Sequence, residues 1–228
     1  MSSSSSSSDL KNRIIFTIAI LAVYRFGTFV PLPGIDPEQL KILMEGNQKG
    51  LLGMFNVFAG GAVSRMAIFA LGIMPYISSS IIVQLLTGVS DYFKNLKSQG
   101  ETGRAKITQI TRYGTVVLAF VQSIFIALLL ESYGIVLDPG FLFRFTAVVS
   151  ITTGTMLLLW LGEKITEHGI GNGISLIIMV GIIAGFPNVV ISEISYFQQG
   201  VRGILSELFL MLLFFFLVMM IILVQQGV

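Results

Sequence analysis

Cysteine is absent from the 228 residues, and histidine occurs once, at His168. Without cysteine there is no disulfide framework, thiol nucleophile or thiolate metal site, and the redox compartment is left open. A lone histidine beside Glu167, with no second histidine or cysteine to share an ion, provides neither a metal centre nor a catalytic pair. Charge is scarce as well: Asp, Glu, Lys and Arg make up 11% of the chain, against about 25% in soluble domains, while 54% is hydrophobic. The net charge of +2 is too small to point to nucleic acid. No G-x-S-x-G, no H-E-x-x-H and no intramembrane aspartate pair occurs, so proteolysis inside the membrane has no candidate residues. With a mean hydropathy of +0.87, the chain reads as an all-α polytopic membrane protein.

Residues 2–8 are all serine and lack the basic start, apolar centre and cleavage site of a signal peptide. Residues 1–9 are therefore expected to form a disordered or artificial tail, with 10–228 as one membrane domain. Six crossings are expected at about 14–30, 67–89, 115–130, 145–161, 174–186 and 204–224. The first follows Lys11 and Arg13 and ends at Pro31, Pro33 and Gly34. Arg25 inside it needs a structural partner or an end to snorkel toward. Polar residues 34–50 form an extramembrane loop. The longest polar segment follows residue 89 and holds Lys94, Lys97, Arg104, Lys106 and Arg112 against Asp91 and Glu101. Such an excess of Lys and Arg near span ends marks a cytoplasmic loop. Two crossings separate it from Lys11 and Arg13, so all fall on one side, and six crossings place both termini in the cytoplasm. Asp138, Pro139 and Gly140 make an outside turn, and Glu163, Lys164, Glu167 and His168 an inside turn. Pro187 ends the fifth span, and an outside loop with Glu193, Gln198, Gln199 and Arg202 leads to the sixth. The scattered methionines and the run Phe214, Phe215, Phe216 read as lipid-facing or core packing.

The stretch 51–89 has a different character. Residues 51–58 are apolar but make only about two helical turns, Gly60 and Gly61 release the backbone, and Arg65 marks a wet or protein-lined boundary. Irregular backbone at membrane depth is tolerated only where protein or a water-filled cavity satisfies it, so a half-helix before a crossing points to a pore or substrate site. The same pattern also fits an amphipathic helix lying on the membrane surface. In the second span Ile73, Ile77, Ser80 and Gln84 share a face, bulky at one end and polar toward the cytoplasm. In the fifth, Ile174 and Ile178 stack in the same way, with Asn172 just before them and Gly181 and Gly185 following at GxxxG spacing. Gly169, Gly171 and Gly173 do not make a phosphate loop, since neither the spacing nor the context fits. Two such faces could line one cavity, although isoleucine at i, i+4 is also ordinary in membrane helices. A small-solute transporter is the rival from another class; it predicts paired mid-membrane charges, and apart from Arg25 the spans lack them.

Longer motifs carry a resemblance. FNVFAGGAVSRMAIFALGIMPYISSSIIVQLL, GETGRAKITQITRYGT and FRFTAVVSITTGTMLLLWLGEKITEHGIGNGISLII, with RFGTFVPLPGID near the first span, resemble the SecY family, the central subunit of the bacterial protein-conducting channel. The likeness covers nearly all of 10–224. It implies an hourglass channel between two pseudo-symmetric halves related as an inverted repeat. It also implies a plug at about 51–65, with Phe55 and Phe58 toward the channel centre and Gly60, Gly61 and Arg65 closing it. By the same resemblance, Ile73, Ile77, Ile174 and Ile178 belong to a pore ring, and Ser80, Gln84 and Asn172 to the polar side of a lateral gate. The implied partners are SecE, SecG, the SecA motor, the ribosome and the nascent secretory chain, with no cofactor, no metal and no enzymatic activity. Contact with nucleic acid would be limited to ribosomal RNA. The chain departs from the family pattern in stopping at Val228, after the sixth helix, and in placing Gln225 and Gln226 where an acidic and then a basic residue are usual. The second gate wall and the rest of the ring then belong to a missing C-terminal half, and an inert remnant is a further reading.

Overall fold

The computed structural model describes residues 3–46, 51–198 and 204–227. Among them the helices are α1 (Ser3–Gly27), α2 (Pro37–Gly46), α3 (Leu51–Phe58), α4 (Met74–Val89), α5 (Asp91–Ser98), α6 (Glu101–Ser132), α7 (Phe141–His168), α8 (Gly173–Gln198) and α9 (Ile204–Gln226). Extended pairing among these residues is limited to two isolated bridges, Pro31 with Ala67 and Ile35 with Val136. The chain forms two compact units, 1–184 and 185–228.

In the first unit, α6 packs on α7 and α4, and α1 packs on α7. α1 begins within the serine run, since adding residues to an existing helix is far easier than starting one. It stops at Gly27, short of the expected 30, because Val30 precedes Pro31 and the residue before a proline avoids helical backbone. Midway along it Thr17 is a tie: its hydroxyl accepts from the Ile170 N–H at 3.1 Å and so fixes α1 to the turn after α7.

Several expected loops are helical. Within 34–50 the polar residues build α2, started by Asp36, whose carboxylate accepts from the N–H groups of Glu38 (2.9 Å) and Gln39 (3.4 Å), and by Pro37 in the first position. The basic stretch after residue 89 is α5 and the first turns of α6 rather than a loop, with Leu96 buried among them. α7 runs through Glu163 to His168, so the turn before α8 is 169–172. The turn at Asp138, Pro139 and Gly140 is in place, held by Glu131, which accepts from the Gly140 N–H at 3.0 Å and pairs with Arg144 at 2.7 Å.

Among the described residues, four helices are long and apolar enough to cross a membrane: Glu101–Ser132, Phe141–His168, Gly173–Ser195 and Leu208–Gln226. The expected crossings at 14–30 and 67–89 fall short of that measure. α1 carries Lys11, Arg13 and Arg25, and α4 has 16 residues. The helix expected to start at Ala67 starts at Met74, because Pro75 lies in its first turn and has no N–H to continue a ladder from 67–73.

In the second unit, residues 185–198 continue α8 through Pro187, in contrast to the end expected there. A proline removes one rung of the ladder, and the residues beyond it bond among themselves. Glu193 and Gln198 are thus helical rather than in a loop, while Gln199 and Arg202 lie outside the described residues. α9 exposes apolar side chains on all sides, including Phe214, Phe215 and Phe216.

Candidate functional site

The half-helix forms where it was expected, as α3, and ends in two left-handed glycines, Gly60 (φ +64) and Gly61 (φ +83). Both need glycine, since a side chain at such φ meets its own backbone. Residues 60–73 then run in turns, and Gly72 comes back near Ala59 at the end of α3. Phe69 is 1% exposed and fills the space beside Gly27 and Tyr24. Gly154 on α7 lets this segment approach, because a Cβ there would overlap the Ile68 carbonyl.

The isoleucines of the second and fifth spans pack against one core cluster. Ile73, Ile77, Ile174 and Ile178 belong to one apolar cluster with Tyr24, Leu158, Leu161 and Ile165. Ile73 is the half-helical residue that starts α4, and the Ile77 N–H donates to its carbonyl at 3.1 Å, so the two side chains stand one turn apart. A cavity of about 160 Å³ lies between the elements, lined by Ile73, Met74 and Ile77 from α4, Ile177 and Ile178 from α8, Leu158 from α7, and Tyr24. Phe58 and Ala59, at the end of α3, close one side of it. Ile174 is not on the cavity wall and instead packs against Gly162. The side chain of Phe55 lies outside the described residues.

Sequence reading missed Ile177, which is 2% exposed and on the wall, although it stands at i+3 from Ile174. It also missed Tyr24 and Leu158, which come from helices whose patterns carry no mark of the cavity. Periodicity singles out Ser80, yet its neighbour Ser79 is the buried one and donates to the Thr111 carbonyl at 2.8 Å.

The polar candidates are placed less simply. Gln84 donates to the Ser80 hydroxyl at 3.2 Å on an exposed part of α4. Asn172 accepts from the Ser175 N–H at 3.1 Å and so caps α8. Both amides therefore have local partners. Among the basic residues, Arg112 bonds Glu163 at 2.7 Å across α6 and α7, Lys94 pairs with Asp91 at 3.4 Å, and Arg104 and Lys106 are exposed. Lys97 stands in the last turn of α5, where a cation suits the helix end.

Arg25 finds a structural partner: its Nη1 donates to the Gly60 carbonyl at 2.7 Å. Arg65 is exposed and lies over the Phe29 ring at 4.1 Å. Gly181 of the GxxxG pair comes close to this junction, where a Cβ would stand 3.2 Å from the Phe58 carbonyl, whereas Gly185 has open space around it.

Comparison with known proteins identifies the family. A family model described as SecY matches residues 67–228. The protein translocase subunit SecY of Escherichia coli (strain K12) is 56% identical over 196 residues, covering 84% of this chain and 44% of that protein. Its counterpart in Buchnera aphidicola subsp. Acyrthosiphon kondoi is also 56% identical, over 84% of this chain and 55% of that protein. The Rickettsia bellii (strain RML369-C) protein is 51% identical over 90% of this chain and 48% of its own length. The chain thus spans about half the length of the curated relatives it matches. A solved structure described as that of a protein conducting channel superposes with a TM-score of 0.58 at 20% identity, over 86% of this chain and 43% of that one. Another, described by its plug domain stabilising the closed state, gives 0.53 at 21% identity, over 86% and 42%. A family match over residues 67–228 and sequence identity of this extent over most of the chain place it in the SecY family.

Proposed function

We propose that this chain supplies one half of a protein-conducting channel, which passes unfolded secretory chains across the cytoplasmic membrane and releases apolar segments sideways into lipid. The observation that carries the reading is the apolar cavity: isoleucines from the start of α4 and from α8 line one space together with Phe58 and Ala59 at the end of α3. Such a constriction seals by excluding water, because a narrow apolar passage dewets and ions cannot cross it. Branched aliphatic side chains also yield to a passing chain without a specific bond having to be broken. In this reading Ile73, Ile77 and Ile178, with Ile177, form this half of the ring, α3 is the plug, and the half-buried Ser80 and exposed Gln84 belong to the lateral gate. The complementary wall comes from the remaining helices of the channel.

The chain has no catalytic task in this mechanism, and a partner provides the driving force. SecA or the ribosome would dock on the basic surface of α5 and the start of α6, and SecE and SecG would pack against the membrane helices. Lys11, Lys97 and Lys164 face the cytoplasm in this topology, as do both termini. A transporter reading would use Arg25 to couple a charge, but that guanidinium is bound to the Gly60 carbonyl.

The test is a photoreactive amino acid at position 77, in a channel assembled from this chain and the remaining SecY helices, challenged with a secretory chain stalled in transit. An adduct at 77 and none at the outward-facing position 82 is expected. Equal adducts at both, or none at 77 while export proceeds, would rule the constriction out.

A further inference from the structure

Three contacts meet at the foot of α3. The chain leaves that helix through Gly60 and Gly61, whose left-handed backbone makes them the natural hinge for any swing of α3. Downstream, the chain is fixed to the end of α1: the Leu32 N–H donates to the Met66 carbonyl at 2.9 Å, and the Ile68 N–H donates to the Val30 carbonyl at 3.0 Å. One side of the hinge is therefore anchored by backbone, and what restrains the other side must act at the hinge or on α3.

Arg25 acts at the hinge. Its Nη1 reaches the Gly60 carbonyl at 2.7 Å, a charge-assisted bond to a part-buried acceptor. The guanidinium is held in that pose by Phe29, whose ring centroid lies 4.9 Å from its Cζ, and by the Thr28 hydroxyl at 3.5 Å. The same ring carries Arg65 at 4.1 Å, from the far side of the hinge. Phe29 thus lies against two guanidiniums that repel each other, one from α1 and one from the segment after α3. Separating them relieves that repulsion, so the cluster holds only while the ring and the carbonyl are both in place.

We propose that Arg25 and Phe29 are positioning residues that latch the Gly60–Gly61 hinge and thereby hold α3 over the isoleucine cavity. The latch rests on the channel reading, and the test separates the two. A channel containing this chain with the remaining SecY helices is reconstituted, and both export of a secreted reporter and resting ion conductance in a planar bilayer are measured. Arg25→Gln removes the charged bond and the stacking, and is expected to raise resting conductance about tenfold while export stays within about twofold of the parent. Phe29→Leu keeps the bulk but not the ring face, and a rise of about threefold is expected. Arg25→Lys retains a charged donor and should fall between the parent and Arg25→Gln. General damage would lower export without opening a leak, so loss of export with unchanged conductance in Arg25→Gln overturns the latch. Unchanged conductance in both Arg25→Gln and Phe29→Leu, with normal export, overturns it while leaving the channel reading intact. A parent channel that exports nothing overturns the channel reading, and the latch falls with it.

Discussion

Ser79 donates its hydroxyl to the carbonyl oxygen of Thr111 at 2.8 Å, inside the contact between α4 and α6. The approach that allows this bond depends on Gly114, since a Cβ there would overlap the Ser79 hydroxyl oxygen. The wall that carries Ile77 is thus fixed to its neighbour one residue pair away from the cavity.

Gly114→Ala is expected to displace that hydroxyl and destabilise the packed helices by about 2 kcal/mol, combining overpacking with a lost buried hydrogen bond. The measurement is the melting temperature of the purified protein in detergent. Gly88→Ala serves as the comparison, because nothing lies within 4 Å of a Cβ at that position. Equal melting temperatures for the two variants would remove the close approach from the account.

Ile77→Ser and Ile178→Ser, in a channel completed by the remaining helices, are each expected to raise resting ion conductance. A hydroxyl on the wall stabilises water in a space that is otherwise apolar. Ile82→Ser is the control: five residues on, at about 100° each, it points about 140° away from Ile77, and its side chain is 50% exposed. Leak of the same size from position 82 would deny the wall residues any special role.

Orientation can be read with single cysteines, since the chain has none of its own. A cysteine at 97 should resist a membrane-impermeant thiol reagent applied to intact cells, and a cysteine at 138 should react with it. Labelling at 97 under those conditions would reverse the assignment of α5 to the cytoplasm.

Residues 1–228 expressed alone are expected to insert in the membrane without exporting protein, since they provide one side of the constriction. Adding the remaining SecY helices as a second polypeptide should restore some export, because helices that insert independently associate in a separate step. The assay is export of a secreted reporter in cells depleted of their own SecY. Export by 1–228 alone would mean that the isoleucine cavity is not half of a ring.

The isoleucine wall was legible in part: in α4 periodicity puts Ile73 and Ile77 on one face and both line the cavity, whereas in α8 it pairs Ile174 with Ile178 and only Ile178 does. The break at Gly60 and Gly61 was legible for a related reason, as left-handed backbone demands glycine in the sequence itself. The start of α4 was not placed correctly, although Pro75 marks it, because the apolar character of 67–73 suits a membrane helix and a buried turn equally well. Pro187 failed in the opposite direction: local chemistry suggested an end, and the helix continues past it.

Composition and long apolar stretches thus determined a membrane protein built of helices, since apolar stretches in lipid must satisfy their own backbone. Long motifs determined the family. Only the tertiary structure decided that Ser79 rather than Ser80 is the buried hydroxyl, that Tyr24, Leu158 and Ile177 complete the cavity wall, and that Arg25 binds the Gly60 carbonyl. These are relations between segments far apart in sequence. No local pattern encodes them, because the partner that satisfies a buried polar group or fills a gap is chosen by the packing of whole helices.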